Sequence, residues 1–335
     1  MTLVHKIQRS EMTPRAAAWL AAVCGAMLTA AVAQAQDFPL TVEHKFGTTI
    51  IPAAPERVAT VDYAGADNIL ALGFQPLTVR AWFGPYDNAL WPWAQAVATE
   101  DPVVIGAQLD FEAIAATDPD VILALRSGIT AAEFARLSAI APTIAVPPDK
   151  GDYDLLWHEQ AALAGHALGR ADMAAALIDV ITAQVTDFAE AHPDWRGKSF
   201  AMMTYWDGSV GVYTATDSSV AFITALGLVP HPKVTELSTP GQFYVPISEE
   251  TLPEFDADII FWFADPDNAD VLGLAARSVM RAPAEGREVF LALDKVANGA
   301  LSHGSLLSIP AALSNLEPMI DAALEGDPAA LVPLD

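Results

Sequence analysis

The sequence predicts an α/β protein of two lobes with mostly parallel sheets, bridged by a single long rigid α-helix. Three observations predict it. Short apolar runs alternate with helical patterns in each half of the chain. Two of those runs, Val121-Ile122-Leu123-Ala124-Leu125 and Ile259-Ile260-Phe261-Trp262-Phe263, are continuous, as strands buried on both faces must be. Between the halves, Met173, Leu177, Val180, Ile181, Val185 and Phe188 recur at helical spacing from Ala171 to Ala191. At 1.5 Å per residue, about 20 residues reach about 30 Å, enough for a strut between lobes.

Taken in order, Arg57 to Tyr63 reads as the first strand, and Ala66 to Leu72 as a helix closed by Gly73. Pro76 to Val79 starts a second strand. Phe111 to Thr117 is a short helix stopped by Asp118-Pro119, followed by the strand Val121–Leu125. Ala131 to Ile140 is a helix and Thr143 to Val146 a strand. Leu155 to Leu168 is a helix ended by Gly169, and His192-Pro193 ends the strut. The second half repeats the pattern: strand Ser199–Thr204, helix Ser218–Leu226 before Gly227, strand Asp258–Phe263, strand Val289–Leu291 and a final helix Ile309–Leu324. The expected organisation is a first lobe over residues 36–150, a helical connector over 151–196 and a second lobe with the terminal helix over 197–335.

Residues 1–35 have the pattern of a secretory signal peptide. Lys6, Arg9 and Arg15 precede an apolar run from Ala16 to Val32, and Ala33-Gln34-Ala35 forms a small-x-small cleavage site. Met1 and Met12 are both workable starts. Val23 is a poor residue before a lipid-modified cysteine, which weighs against an anchor at Cys24. The expected location is the periplasm.

With 17 basic against 42 acidic residues in 335, the formal charge is −25, which excludes a nucleic-acid-coating role. A single cysteine excludes a disulfide framework or a Cys-based metal site. No phosphate-binding glycine loop or Gly-x-Ser-x-Gly elbow occurs, and the histidines are scattered. No enzyme and no resident cofactor or metal is expected.

Several stretches resemble the binding proteins of ABC importers that carry ferric siderophores, haem and cobalamin. They are Phe46-Gly47-Thr48-Thr49-Ile50-Ile51-Pro52 with Pro55-Glu56-Arg57-Val58, Ala71-Leu72-Gly73-Phe74-Gln75-Pro76, and Phe111-Glu112-Ala113-Ile114-Ala115 with Asp118-Pro119-Asp120-Val121-Ile122. Leu137-Ser138-Ala139-Ile140-Ala141-Pro142-Thr143, Ala167-Leu168-Gly169-Arg170 and Leu306-Leu307-Ser308-Ile309-Pro310-Ala311-Ala312-Leu313 complete the series. Val79-Arg80-Ala81-Trp82-Phe83-Gly84 and Trp91-Pro92-Trp93-Ala94 look most like the iron–siderophore branch. The resemblance implies two Rossmann-like lobes of the class III type, with a ferric siderophore as ligand and haem or cobalamin as the alternative. It also implies a permease partner and a monomer.

Ligands of open α/β sheets bind beyond the carboxyl ends of strands. The residues found there are Tyr63, Arg80, Trp82 and Arg126 in the first half, and Tyr205, Trp206, Tyr244, Trp262 and His303 in the second. Aromatic faces would supply contact area and arginines would meet chelating oxygens. Tyr63, Tyr205 and His303 are the candidate axial donors if the ligand were haem. For docking, the resemblance implies one carboxylate on each lobe: Glu112, and Glu250 with Glu249 beside it.

Overall fold

The computed structural model describes residues 36–327. The leader expected over residues 1–35, including Cys24 and the choice between Met1 and Met12, lies outside the described residues. The chain opens with a hairpin that the sequence reading did not separate out, β1 (Leu40–His44) antiparallel to β2 (Gly47–Ile51). Leu40, Val42 and His44 are buried in alternation, the period-2 signature of a strand.

The first sheet is parallel throughout. It contains β3 (Val58–Thr60), β4 (Thr78–Arg80), β5 (Val103–Ile105), β6 (Val121–Ala124) and β7 (Thr143–Ala145). Strands β3, β6 and β7 pair in that order, and β4 pairs β5. The two groups touch where Pro76 bridges Val58 and the Leu77 N–H donates to the Val58 carbonyl at 2.8 Å. Beyond that point the Thr78 hydroxyl replaces a backbone partner. It accepts from the Thr60 N–H at 2.9 Å and donates to the Thr60 carbonyl at 2.7 Å. The spatial order is therefore β5-β4-β3-β6-β7. Helices Gly65–Ala71, Pro92–Gln95, Phe111–Ala116 and Ala131–Ser138 connect these strands. The last begins with a capping box between Thr130 and Glu133.

Helices Trp157–Ala167 and Ala171–Ala191 form the connector. The 21-residue helix has the expected bounds, but its buried stripe is Ala174, Leu177, Ile181 and Val185. Val180, expected on that stripe, is 41% exposed. A 3.6-residue period places 174, 177, 181 and 185 in one line and turns 180 off its edge.

The second sheet has strands β8 (Ser199–Trp206), β9 (Ser209–Tyr213), β10 (Val229–Pro230), β11 (Tyr244–Ile247), β12 (Ile259–Phe263) and β13 (Glu288–Phe290). Its order is β11-β9-β8-β12-β13, with β10 also on β8. Strands β8, β10, β12 and β13 are parallel, whereas β9 runs antiparallel to both of its neighbours, β8 and β11. The antiparallel edge was not anticipated. It arises at Asp207-Gly208, where φ values of 48° and 79° make the tight turn that reverses the chain.

Helix Val296–His303, also unforeseen, precedes the last helix, Ser308–Glu325. The loop between them is bonded to the first half of the chain. Asp67 accepts from Ser305 Oγ at 2.7 Å and from Trp93 Nε1 at 2.8 Å, and Asn68 accepts from the Leu306 N–H at 3.1 Å. One hydrophobic cluster runs from β1 through the connector to the last helix. No helix among the described residues is long and apolar enough to cross a membrane.

Candidate ligand-binding site

The carboxyl ends of β3 and β6 are held together by one carboxylate. Asp62 Oδ1 accepts the Arg126 backbone N–H at 2.8 Å, and the Tyr63 N–H donates to the Arg126 carbonyl at 3.3 Å. Tyr63 and Arg126 therefore emerge side by side. Burial raises the Asp62 pKa to about 6, opposed by the Arg126 and Leu125 backbone donors and by Arg126 and Arg80. Arg80, at the end of β4, is buried beneath Tyr63 with its guanidinium 4.2 Å from the ring centroid. It donates to the carbonyls of Ser127 at 2.8 Å and Ala107 at 2.7 Å. Two residues on, the Trp82 ring meets Tyr63 at 5.4 Å.

Arg126 is buried, with its guanidinium 5.5 Å from the Trp82 centroid and Nη1 donating to the Ser302 carbonyl at 2.8 Å. Around it lies a cavity of about 270 Å³, lined by Tyr63, Trp82, Arg126, Tyr153, Tyr213, Asp217, Ser219, Phe243, Phe263 and Ser302. Ring contacts run along both sides of the cavity. Tyr63 faces Tyr153 at 6.5 Å, Tyr153 meets Phe243 at 5.2 Å, and Tyr213 meets Phe263 at 4.9 Å. Burial raises the pKa of Tyr153 and Tyr213, so both phenols remain hydrogen-bond donors at neutral pH. Asp217 caps helix Ser218–Ala225, its carboxylate accepting from the Ser219 and Val220 N–H groups. Burial raises its pKa, against Arg126 and those capping bonds.

Of the nine residues expected to bind ligand, the structure brings Tyr63, Trp82 and Arg126 to the cavity wall. Arg80 lies behind Tyr63. His303 lies behind Trp82 at 5.7 Å, its Nδ1–H donating to the Gly299 carbonyl at 2.9 Å. It ends helix Val296–His303, and burial lowers its pKa to about 3. The Tyr244 ring covers Gly211, where a Cβ would come within 1.9 Å, and it meets Tyr213 at 5.8 Å. Trp262 is fully buried and donates to Glu288 at 2.8 Å. Strand alternation turns it to the opposite face from Phe263. Tyr205 and Trp206 end β8, beyond the cavity, and Trp206 is 75% exposed beside the Asp207-Gly208 turn. Of the three candidate axial donors for haem, Tyr63 alone lines the cavity.

Tyr153, Asp217, Ser219, Phe263 and Ser302 were not singled out from the sequence. Asp217-Ser218-Ser219 carried a helix-start signal with no mark of a cavity, and Ser302 contributes its backbone carbonyl to Arg126. Among the described residues, no group of three or more His, Cys, Asp or Glu side chains could hold a metal ion. Glu112 and Glu250 are exposed, the first in the opening turn of helix Phe111–Ala116 and the second in the 3₁₀ segment Glu249–Phe255. Glu249 is engaged, accepting from the Ala276 N–H at 3.1 Å.

The family model described as periplasmic binding protein matches residues 58–280. The probable siderophore-binding lipoprotein YfiY of Bacillus subtilis (strain 168) is 28% identical over 239 residues, covering 68% of this chain and 70% of that protein. The ferric-anguibactin-binding protein FatB of Vibrio anguillarum is 26% identical over 264 residues, covering 72% and 77%. Among solved structures, PiaA of Streptococcus pneumoniae TIGR4 in complex with ferrichrome has a TM-score of 0.72 at 28% identity, covering 84% of this chain and 97% of that one. The chain belongs to the periplasmic binding protein family.

Proposed function

We propose that this chain, acting as a monomer in the periplasm, captures a ferric siderophore and delivers it to the permease of an ABC importer. The observation that carries this reading is the cavity, where aromatic rings from both halves surround one buried guanidinium. Such walls suit a bulky chelate that is apolar outside and polar at its iron-binding oxygens. Relatives bearing siderophore-binding names and a structural neighbour holding ferrichrome support it. Iron would arrive as cargo inside the chelate, so the chain needs no metal ligands of its own.

Tyr63, Trp82 and Arg126 would contact the chelate. Arg80, Tyr244 and His303 would act from behind, holding Tyr63, Tyr213 and Trp82. Glu112 and Glu250 would each offer a carboxylate to basic groups of the permease, where exposed charges steer orientation and association.

Titration of tryptophan fluorescence with a panel of ferric siderophores tests capture, because Trp82 stands at the wall. Quenching is expected; no quenching by any of them, together with a Soret shift on adding haemin, would replace the ligand with haem. Charge reversal at both Glu112 and Glu250 should abolish iron uptake while binding persists. Normal uptake by that double variant would remove the docking role.

A further inference from the structure

We propose, resting on the ferric-siderophore reading, that Asp217 sets the charge class of the ligand. The cavity accepts ferric chelates that are neutral or positively charged, as trihydroxamates are, and rejects polyanionic ones.

Among the described residues that line the cavity, Arg126 is the one cation and Asp217 the one carboxylate. The guanidinium is engaged at one nitrogen. Its Nη1 donates to the Ser302 carbonyl, and Asp217 and Asp62 both act on it electrostatically. The next cation, Arg80, lies behind the Tyr63 ring with both terminal nitrogens donating to carbonyls. Arg126 Nε and Arg80 Nε are buried without a hydrogen-bond partner, so Arg126 keeps a donor for a ligand oxygen while the Asp217 carboxylate offsets its charge.

Asp217 is placed differently from a cap that serves its helix alone. Such caps commonly sit at the surface; this one is 3% exposed and lies in the cavity wall. Its Oδ1 accepts the N–H groups of Ser219 at 2.8 Å and Val220 at 3.3 Å. Those donors, the positive end of the helix and Arg126 favour the ionised carboxylate against burial. On this proposal Asp217 is ionised beside Arg126, and the charged residues of the wall sum to zero, in a chain whose formal charge is −25. The other polar side chains of the wall carry no charge: the hydroxyls of Tyr63, Tyr153, Tyr213, Ser219 and Ser302, and the indole N–H of Trp82.

A neutral trihydroxamate chelate presents oxygens that can accept from Arg126 and the phenols, and adds no net charge to the site. A tris-catecholate complex brings three negative charges to a wall whose single cation, Arg126, is already offset by a carboxylate. A pendant ammonium on a trihydroxamate gains from Asp217 instead.

The test uses the full chain and its Asp217→Asn variant. Asparagine retains the capping oxygen and is as good an N-cap, so the helix start is kept. Three probes are titrated by tryptophan fluorescence: a neutral ferric trihydroxamate, a ferric trihydroxamate bearing a free ammonium, and a trianionic ferric tris-catecholate. The full chain should bind both trihydroxamates at least a hundredfold more tightly than the trianion. In the variant, the cation-to-trianion affinity ratio should fall by tenfold or more. A trianion bound as tightly as the neutral chelate, or a ratio unmoved by the substitution, overturns the role of Asp217. Failure of all three probes to bind overturns the ferric-siderophore reading itself, a different and recognisable result.

Discussion

Asp67→Asn should flatten the pH dependence of stability. Asp67 is 3% exposed and accepts two bonds, from Trp93 Nε1 and Ser305 Oγ. Burial lifts its pKa from the usual 3.8 to about 6, with the Ser305 and Trp93 bonds working the other way. Because the folded-state value is the higher one, the native state holds the proton between those two values while the unfolded chain has released it. Stability therefore falls as pH rises through that window, and levels off above about 6. At about 1.4 kcal/mol per pH unit, the whole effect is about 3 kcal/mol, of which about 2 kcal/mol develops between pH 4.5 and 7.5. Asparagine keeps one acceptor oxygen and cannot ionise. Urea unfolding of both proteins at those two pH values isolates the contribution, since Asp62 shifts in the same direction and cancels in the difference. The variant should gain about 2 kcal/mol on the wild type across the interval. A pH slope identical in both proteins would refute the reasoning.

Arg126→Gln should weaken binding of a ferric siderophore by about ten- to a hundredfold, the range of one charge-assisted hydrogen bond, as read by fluorescence titration. An unchanged Kd would remove Arg126 from the contact set. Gly299→Ala should cost about 2 kcal/mol in denaturant unfolding. The new Cβ would lie 2.5 Å from the ring of Trp91, which is buried and stacked on Trp93. Trp206→Ala should keep stability within about 0.5 kcal/mol, because the side chain is largely in water. Its affinity for the chelate should stay within threefold. A tenfold loss would mean that the β8–β9 turn closes over the ligand.

Elements whose signal is local were legible in the sequence. Val121–Leu125 and Ile259–Phe263 read as buried strands because an unbroken apolar run leaves few other solutions. Helix Ala171–Ala191 read correctly because its stop is set by His192-Pro193 and its start by Gly169. Tyr63, Trp82 and Arg126 were legible for a topological reason: in parallel sheets, residues just past a strand collect at one end. The same rule reaches too far where the chain turns back. Asp207-Gly208 makes a tight hairpin, so Trp206 leaves the strand end where a βα loop would have stayed over it. It also fails within a strand, where alternation sends Phe263 to the cavity and Trp262 to the core. Tyr153 is far in sequence from every strand of the second sheet, and its meeting with Phe243 is a tertiary fact with no local mark.

The loop after His303 changes what must hold the halves together. A single connecting helix could act as a hinge, since nothing but its own stiffness would fix the angle. Here Ser302, Ser305 and Leu306, within five residues, each bond to the first half: to the Arg126 guanidinium, the Asp67 carboxylate and the Asn68 amide. Two of the three bonds involve a charged group, and such bonds contribute about 1.5–3 kcal/mol each. The Ser302 bond is also part of the cavity wall. Opening the halves at that point would break it and leave a buried guanidinium short of an acceptor, a cost the ligand would have to offset before gaining any contact. The floor of the cavity is therefore built before the ligand arrives, and the ordering cost is met by folding, not by binding. Selection then falls to the other side chains that line the cavity: the phenols, Trp82, and the opposed charges of Arg126 and Asp217.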